Sequence, residues 1–184
     1  AIIIVHGRDK AKAEEVADSI SREGGRSYVV TGDLTCEDDV QRLVEKAQAF
    51  VRPVDILVNN AGGSGEQEDW VTTRSRTWTD GYDRNVVAAV RVTSRVLPAM
   101  RVSRWGRVVN ISSLAGMMPP AGRPDYAAAK AAMLAMTASL AKAVAKDGIT
   151  ANTVSPGTIH SASLEAAFRK VAVGQGIAHE ASWP

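Results

Sequence analysis

The sequence predicts a doubly wound α/β fold, in which a parallel sheet is covered by helices on both faces. Short β-branched runs alternate with longer segments of helical periodicity from the start of the chain to Val154. The short runs are continuously apolar, which is typical of parallel strands buried on both faces. The length of 184 residues agrees with a single domain, since domains average about 150 residues.

Five strands and four helices are expected, each strand but the last being followed by a helix. The predicted strands are Ile2–Val5, Ser27–Val30, Asp55–Val58, Arg107–Ile111 and Thr150–Val154. The predicted helices are Ala11–Arg22, Val40–Phe50, one from about Trp78 to Met100 and one from about Tyr126 to Lys146. No repeat or Pro/Gly/Ser-rich linker divides the chain.

Composition excludes several classes of protein. Lys and Arg number 22 against 20 Asp and Glu, with no basic block, which argues against a nucleic-acid partner. One cysteine, Cys36, cannot form an internal disulfide or a cysteine-based zinc site and fits a reducing compartment. The N-terminal apolar run has no basic n-region, and the longest low-charge stretch is shorter than the roughly 20 residues of a membrane span. We therefore expect a cytoplasmic protein without a membrane partner.

Polar and glycine-rich turns follow most of the strands, and ligands of such sheets bind at the carboxyl ends of the strands. The turn segments are Gly7-Arg8, Gly32-Asp33, Asn59 to Gly63, Ser112-Ser113 and Ser155 to Gly157. Each one could be an ordinary turn. Together they predict a ligand site along this edge of the sheet.

Ser113, Tyr126 and Lys130 form the strongest candidate catalytic set. The spacing of four residues places the Tyr126 phenol and the Lys130 ammonium on one helical face. A positive charge beside a phenol stabilises the phenolate, as an acid/base catalyst requires. Ser113 ends a strand and could donate a hydrogen bond to a carbonyl oxygen. The alternative to a catalytic role for Tyr126 and Lys130 is that they are an ordinary pair on a solvated helix surface.

Further motifs in the same order complete a family pattern. They are NNAG at 59–62, Asn85 within DRNVVAA, VVNISS ending at Ser113, YAAAK at 126–130 and SPGTI at 155–159. In order and spacing, including thirteen residues from Ser113 to Tyr126, the chain resembles the short-chain dehydrogenase/reductase family over nearly its whole length. Within the family, it resembles the 3-oxoacyl reductase branch more than the nucleotide-sugar epimerases.

The resemblance implies a Rossmann-like fold and hydride transfer between a nicotinamide cofactor and a carbonyl or alcohol. Tyr126 would be the acid/base and Ser113 would orient and polarise the carbonyl. Lys130 would bind the nicotinamide ribose and favour the Tyr126 phenolate, while Asn85 would hold a water of a proton relay. Ser112 breaks the family spacing and is the less favoured serine.

The cofactor contacts that the resemblance implies lie along the same edge. They are Asp33 at the adenine, Asn60, Ala61 and Gly62 in the cleft, Tyr126 and Lys130 at the ribose, and Pro156, Gly157 and Ile159 at the nicotinamide. Arg8 ends the first strand, where an arginine accommodates a 2′-phosphate, so NADP(H) is favoured over NAD(H). Asp9 argues mildly against this choice, although it could instead cap the following helix.

One departure from the family is as informative as the match. The turn after Ile2–Val5 holds one glycine, so this strand matches the family's second strand, and the first strand with its glycine-rich turn is missing. The absent strand is the central one in the order 3-2-1-4-5-6. We expect a slot between Ile2–Val5 and Asp55–Val58 that an N-terminal unit of about 30 residues would fill. Direct pairing of these two strands would refute the expectation.

The chain is therefore expected to be one dinucleotide-binding and catalytic domain truncated at both ends, with residues 158–184 as a substrate lid. The helix from Tyr126 to Lys146 contains ten alanines and predicts close packing, either in a homo-oligomer (dimer or tetramer) or in the core. Two other functions stay open. They are an epimerase or dehydratase of the extended relatives and a catalytically silent or regulatory domain of the same fold. The histidines and Cys36 predict no metal site.

Overall fold

The computed structural model describes residues 1–51, 53–65 and 70–159, together with 165–166 and 169. The strands are β1 (Ile2–Gly7), β2 (Arg26–Thr31), β3 (Ile56–Asn59), β4 (Gly106–Ile111) and β5 (Ile149–Val154). The helices are α1 (Lys10–Arg22), α2 (Glu37–Phe50), α3 (Ser75–Tyr82), α4 (Ala88–Ser103) and α5 (Pro124–Val144). All five predicted strands are present, and most of the predicted substrate lid lies outside the described residues.

Every strand pairing in the described part of the chain is parallel. β1 pairs with β2 from Ile2 opposite Arg26 to Gly7 opposite Thr31. β4 lies between β3 and β5, with Val58 opposite Val109 and Val109 opposite Asn152. Helices flank these strands, which confirms the predicted α/β class.

The five strands form two separate sheets, one of β1 and β2 and one of β3, β4 and β5. Among the described residues β1 and β3 do not pair with each other, as the sequence predicts. Their side chains are exposed to an unusual degree for strands of this fold: Ile56 is 58% exposed, Val58 55% and Ile3 43%. Apolar strands at the centre of an α/β sheet are normally buried on both faces, so this region has the exposure expected of an open slot.

An apolar cluster joins helices α2, α4 and α5 to the strands. Its members are Val30, Val40, Leu43, Val44, Ala47, Val92, Val96, Met100, Val108, Val144, Ile149 and Ala151. Because the cluster draws on strands of both sheets, it holds the two sheets in one domain although their strands do not pair.

The predicted helix from Trp78 to Met100 is wrong in its middle. α3 ends at Tyr82, a π-helical turn covers Asp83–Val87, and α4 follows. The Nδ2 atom of Asn85 donates to the Gly81 carbonyl oxygen at 2.9 Å, which in an α-helix would accept the backbone N–H of Asn85. The Ala88 N–H bonds the carbonyl of Asp83, five residues earlier. Such π-turns occur frequently at functional sites.

α5 begins two residues earlier than predicted, with Pro124 in its first turn, where the missing N–H of proline costs nothing. Together with the 3-10 turn Ala145–Asp147 it is long and apolar enough, by length and composition, to cross a membrane. It packs against β5, and its buried residues include Lys130, Met133 and Thr137. We interpret it as a core helix.

Candidate active site

Lys130 lies near the start of α5, and only 4% of its surface is exposed. Its Nζ donates to the Ile111 carbonyl oxygen at the end of β4, at 2.8 Å, and lies 5.7 Å from the centre of the Tyr126 ring. Burial lowers the pKa of Lys130 from its usual value, because the charged ammonium loses hydration. The helix therefore places a desolvated amine beside a phenol, as the four-residue spacing predicts.

Ser113 follows β4 and caps the 3-10 turn Leu114–Gly116, its Oγ accepting from the Ala115 N–H at 3.2 Å. Gly116 brings this turn against the backbone of α5. A Cβ on Gly116 would lie 2.8 Å from the Lys130 carbonyl carbon and 2.9 Å from the Lys130 carbonyl oxygen. The absence of a side chain at Gly116 thus allows the Ser113 turn to approach the helix that carries Tyr126 and Lys130.

Ser112, the less favoured serine, has a different position. It is 4% exposed, and its Oγ donates to the Lys130 carbonyl oxygen at 2.8 Å. The hydroxyl of Ser112 thus ties β4 to α5, whereas Ser113 is partly exposed one residue further along. Ser113 is the more exposed of the two residues, and its choice as the catalytic serine stays a prediction.

Asn85 is fully buried and holds the loop that follows β3. Its Nδ2 donates to the Gly63 carbonyl oxygen and its Oδ1 accepts from the Gly63 N–H, both at 3.0 Å. A Cβ on Gly62, whose φ is +151°, would lie 2.5 Å from Asn85 Oδ1 and 3.7 Å from Lys130 Nζ. Gly62, Asn85 and Lys130 therefore meet at one point.

The remaining predicted residues near this point lie on adjacent loops. Asn60 and Ala61 are exposed on the loop after β3, and Pro156, Gly157 and Ile159 lie after β5. The Leu114 N–H bonds the Pro156 carbonyl oxygen at 2.8 Å, so the loop after β5 is fixed beside the Ser113 turn.

Arg8 and Asp33 form a second group, at the carboxyl ends of β1 and β2. Asp33 Oδ1 accepts from the backbone N–H and the hydroxyl of Thr35, at 2.9 and 2.8 Å. These two bonds, assisted by the positive charges of Arg8 and Arg91, lower the pKa of Asp33 below its ordinary value of 3.8. Arg8 is exposed and lies close enough to Asp33 for its charge to act on the carboxylate.

A buried polar ladder runs beneath the site, and sequence reasoning did not identify it. Asn59 Nδ2 donates to Thr93 Oγ1 at 3.0 Å and to Asn110 Oδ1 at 2.8 Å, and Asn110 Nδ2 donates to Thr137 Oγ1 at 2.8 Å. All four residues of this ladder (Asn59, Thr93, Asn110 and Thr137) are less than 9% exposed. The available signal was a polar residue inside an apolar run, as in VVNIS and MLAMTASL.

The residues present fit part of a dinucleotide. Gly62 leaves space that a Cβ would fill beside Asn85 and Lys130, and Arg8 offers a cation after β1, in the other sheet. The N-terminus of α1 fits a phosphate poorly, because the Asp9 carboxylate already accepts from the Lys12 N–H there. The expectation that Asp9 caps this helix is thereby confirmed. The described residues contain no group of His, Cys, Asp or Glu able to hold a metal ion.

In this parallel α/β fold, Ser113, Asn85 and Lys130 lie near the carboxyl ends of β3 and β4, the edge at which such sheets bind ligands. The family model of the short chain dehydrogenases matches residues 1–172. The chain therefore belongs to the short chain dehydrogenase family.

Individual relatives agree with this assignment. The chain is 36% identical over 165 residues to nodulation protein G of Rhizobium sp. (strain N33), covering 90% of this chain and 66% of the relative. It is 30% identical over 160 residues to the 3-oxoacyl-[acyl-carrier-protein] reductase FabG of Staphylococcus epidermidis (strain ATCC 35984), covering 87% and 65%. The chain thus spans slightly less than two thirds of these relatives.

Among solved structures, L-sorbose reductase of Gluconobacter frateurii, complexed with NADPH and L-sorbose, is similar. The TM-score is 0.92 at 27% identity, with 98% of this chain and 69% of that chain covered. Similar solved structures include proteins with NAD+ bound and proteins with NADP bound.

Proposed function

We propose that this chain is the catalytic part of an NADP(H)-dependent oxidoreductase that interconverts a small carbonyl compound and its secondary alcohol. The observation that carries the proposal is the meeting of Gly62, Asn85 and Lys130 at one point, with the Ser113 turn packed on the backbone of Lys130. Family membership and the solved relatives with bound nicotinamide cofactors support it.

The side chains divide the proton chemistry among them. In the reducing direction, Ser113 donates a hydrogen bond to the carbonyl oxygen, and Tyr126 gives its hydroxyl proton to that same oxygen. The ammonium of Lys130, near the Tyr126 ring, stabilises the phenolate that is left. When bound, the nicotinamide supplies or accepts the hydride.

Asn85 acts first as a positioning residue. Its amide bonds both the N–H and the carbonyl of Gly63, so it fixes the loop that leaves room beside Lys130. The water-holding role implied by the family resemblance is part of the proposal. Asn60, Ala61, Gly62, Pro156, Gly157 and Ile159 would line the cofactor cleft.

NADP(H) is the proposed cofactor because Arg8 is an exposed cation at the end of β1, with Asp33 beside it. A guanidinium can bond a 2′-phosphate, which NADP(H) has and NAD(H) lacks. In the full-length protein, Arg8→Ala should weaken NADPH binding and leave NADH binding within about twofold. Equal losses for both cofactors would contradict this preference.

We propose in addition that a parallel strand preceding Ala1 fills the slot between β1 and β3. The two facing strands are unpaired with each other and expose Ile3, Ile56 and Val58. A strand there would bury these side chains. The turn after it would supply the glycine-rich phosphate site, which the N-terminus of α1 does not provide. Hydrogen exchange of the full-length protein should show slow amides on the slot side of both strands. Fast exchange there would refute the inserted strand.

The acid/base assignment is tested by Tyr126→Phe in the full-length protein, with NADPH and a panel of small ketones. Turnover should fall about a hundred- to ten-thousandfold, because the proton donor is lost while the ring remains. NADPH binding, followed by fluorescence, should persist. Unchanged NADPH oxidation would contradict the mechanism, and a wild-type protein that binds NADPH without turnover would favour the silent-domain alternative.

We also propose a homo-oligomer. α5 leaves a row of small residues exposed at helical spacing, comprising Ala128, Ala131, Ala135 and Ala138. Light scattering should report a dimer or tetramer, and a monomer at tens of micromolar would contradict this. A cytoplasmic location stays a prediction.

A further inference from the structure

Arg84, the residue before Asn85, has a buried nitrogen that finds no partner in the part of the chain that the structure describes. Its Nε is shielded from solvent and has no hydrogen-bond acceptor among the residues that the structure describes. Burying a donor of a charged group without an acceptor costs more than burying a neutral one. Within the described residues, the structure therefore leaves one donor of this guanidinium without an acceptor.

Other partly buried arginines of this protein form ion pairs with carboxylates. Arg91, whose side chain is 18% exposed, bonds the carboxylates of Glu37 and Asp83 at 3.0 and 2.7 Å. Arg95, 21% exposed, also bonds Glu37. Arg84 is likewise partly buried, yet no ion pair within the described ranges includes it.

A second guanidinium belongs to the same loop. Arg123 Nη1 donates to Ser64 Oγ at 3.2 Å, while Arg84 Nη2 lies 4.0 Å from where a Cβ on Gly65 would be. Ser64 and Gly65 directly follow Gly63, which Asn85 holds. Two arginines therefore flank one short loop beside the proposed catalytic residues.

Both arginines are attached to elements that carry the proposed chemistry. Arg84 shares the π-turn with Asn85, and Arg123 is the residue before α5, three positions ahead of Tyr126. A substrate bound with its carbonyl near Tyr126 and Ser113 would extend toward these cations. Their planar guanidinium groups match a carboxylate, with two parallel hydrogen bonds.

We propose that Arg84, assisted by Arg123, forms a carboxylate-binding subsite, so that the preferred substrates are keto acids or hydroxy acids. The inference rests on the proposed function and narrows its substrate class to anions.

The test compares acetoacetate with its neutral methyl ester in the full-length protein and in Arg84→Gln. Arg84→Gln should lower kcat/KM for acetoacetate about ten- to hundredfold, mainly through KM, since bonds to charged groups carry this much affinity. The methyl ester should change less than about twofold. Arg76→Gln is the matched control: Arg76 pairs with Asp80 on the exposed surface of α3, and its loss should leave both substrates unaffected.

A binding measurement separates this inference from the proposed function. Malonate has two carboxylates and no ketone, so calorimetry with malonate needs no turnover. Its affinity should fall about tenfold or more in Arg84→Gln. If malonate binds through Arg84 but no ketone is reduced, the subsite stands and the proposed function fails. If ketones are reduced with no loss in Arg84→Gln, the function stands and the subsite is refuted.

Three results would overturn the subsite. The first is malonate binding that is absent from the wild type or unchanged in Arg84→Gln. The second is a parallel loss of NADPH affinity in Arg84→Gln, which would make Arg84 a cofactor contact. The third is a lower melting temperature with unchanged discrimination between acetoacetate and its ester, which would make Arg84 a structural residue.

Discussion

Thr137→Val tests whether the buried polar ladder stabilises the domain. Thr137 Oγ1 accepts from Asn110 Nδ2 at 2.8 Å and donates to the Met133 carbonyl oxygen at 2.7 Å. Valine has nearly the same shape but no hydroxyl, so the change leaves no large cavity. It removes the acceptor of a donor on Asn110, which is fully buried.

The expected cost follows from this single unsatisfied donor. A buried donor that loses its partner costs about 1 to 3 kcal/mol. For a chain of 184 residues each kcal/mol corresponds to roughly 2 to 4 °C in melting temperature, so Tm should fall by about 2 to 12 °C. Breaking the bond between the Thr137 hydroxyl and the Met133 carbonyl adds little to this cost, because a carbonyl within α5 also accepts a backbone N–H of the helix.

Urea denaturation followed by circular dichroism measures the effect, with an unchanged m-value as evidence that the unfolding transition is the same one. Thr150→Val is the matched control, since Thr150 is exposed on β5 and the same substitution there should stay within about 0.5 kcal/mol. A Thr137→Val variant as stable as the Thr150→Val variant would refute the ladder as a source of stability.

Two other substitutions test the packing beside the candidate active site and the charge of Asp33. Gly116→Ala should destabilise the fold by about 1 to 3 kcal/mol and lower turnover, because the new Cβ would lie 2.8 Å from the α5 backbone. Gly7→Ala is the control: its nearest contacts would be at 3.4 Å, so its loss of stability in a melting experiment should be small. Equal effects of the two would contradict the close approach. The lowered pKa of Asp33 means that its carboxylate stabilises the folded wild type above pH 3.8. This stabilisation is lost as pH falls through the lowered pKa, and Asp33→Asn should lack it at every pH. The wild-type advantage in urea should therefore be present at pH 7 and shrink toward pH 3, and an advantage that grows toward acid would contradict the assignment.

Periodicity predicted most of the fold because the strands are apolar throughout and the helices carry regular apolar faces. The strand predicted at Asp55–Val58 is observed at Ile56–Asn59, a shift of one residue. The slot between β1 and β3 was also predictable, since it follows from strand order and one missing glycine-rich turn. The break in the helix at Asn85 was not, because it depends on a side-chain bond to Gly81 that no periodicity encodes.

The site was predictable as a set of residues and less so as an arrangement. Spacing placed Tyr126 and Lys130 on one helical face, and the structure has them near each other. The role of Gly116 depends on how closely one loop approaches α5, which is a property of packing and not of local sequence. The unpartnered Nε of Arg84 likewise appears only when its surroundings are known.

The proposed function is hydride transfer with Tyr126 as the proton donor. Its most direct test is the reduction of a small ketone, acetoacetate or its methyl ester, by NADPH deuterated at the transferable position, using the full-length protein and mass spectrometry of the alcohol. If this function is right, deuterium should appear on the carbinol carbon with the wild type, and the rate should be lower by a hundredfold or more with Tyr126→Phe. Transfer at the wild-type rate by Tyr126→Phe would contradict it.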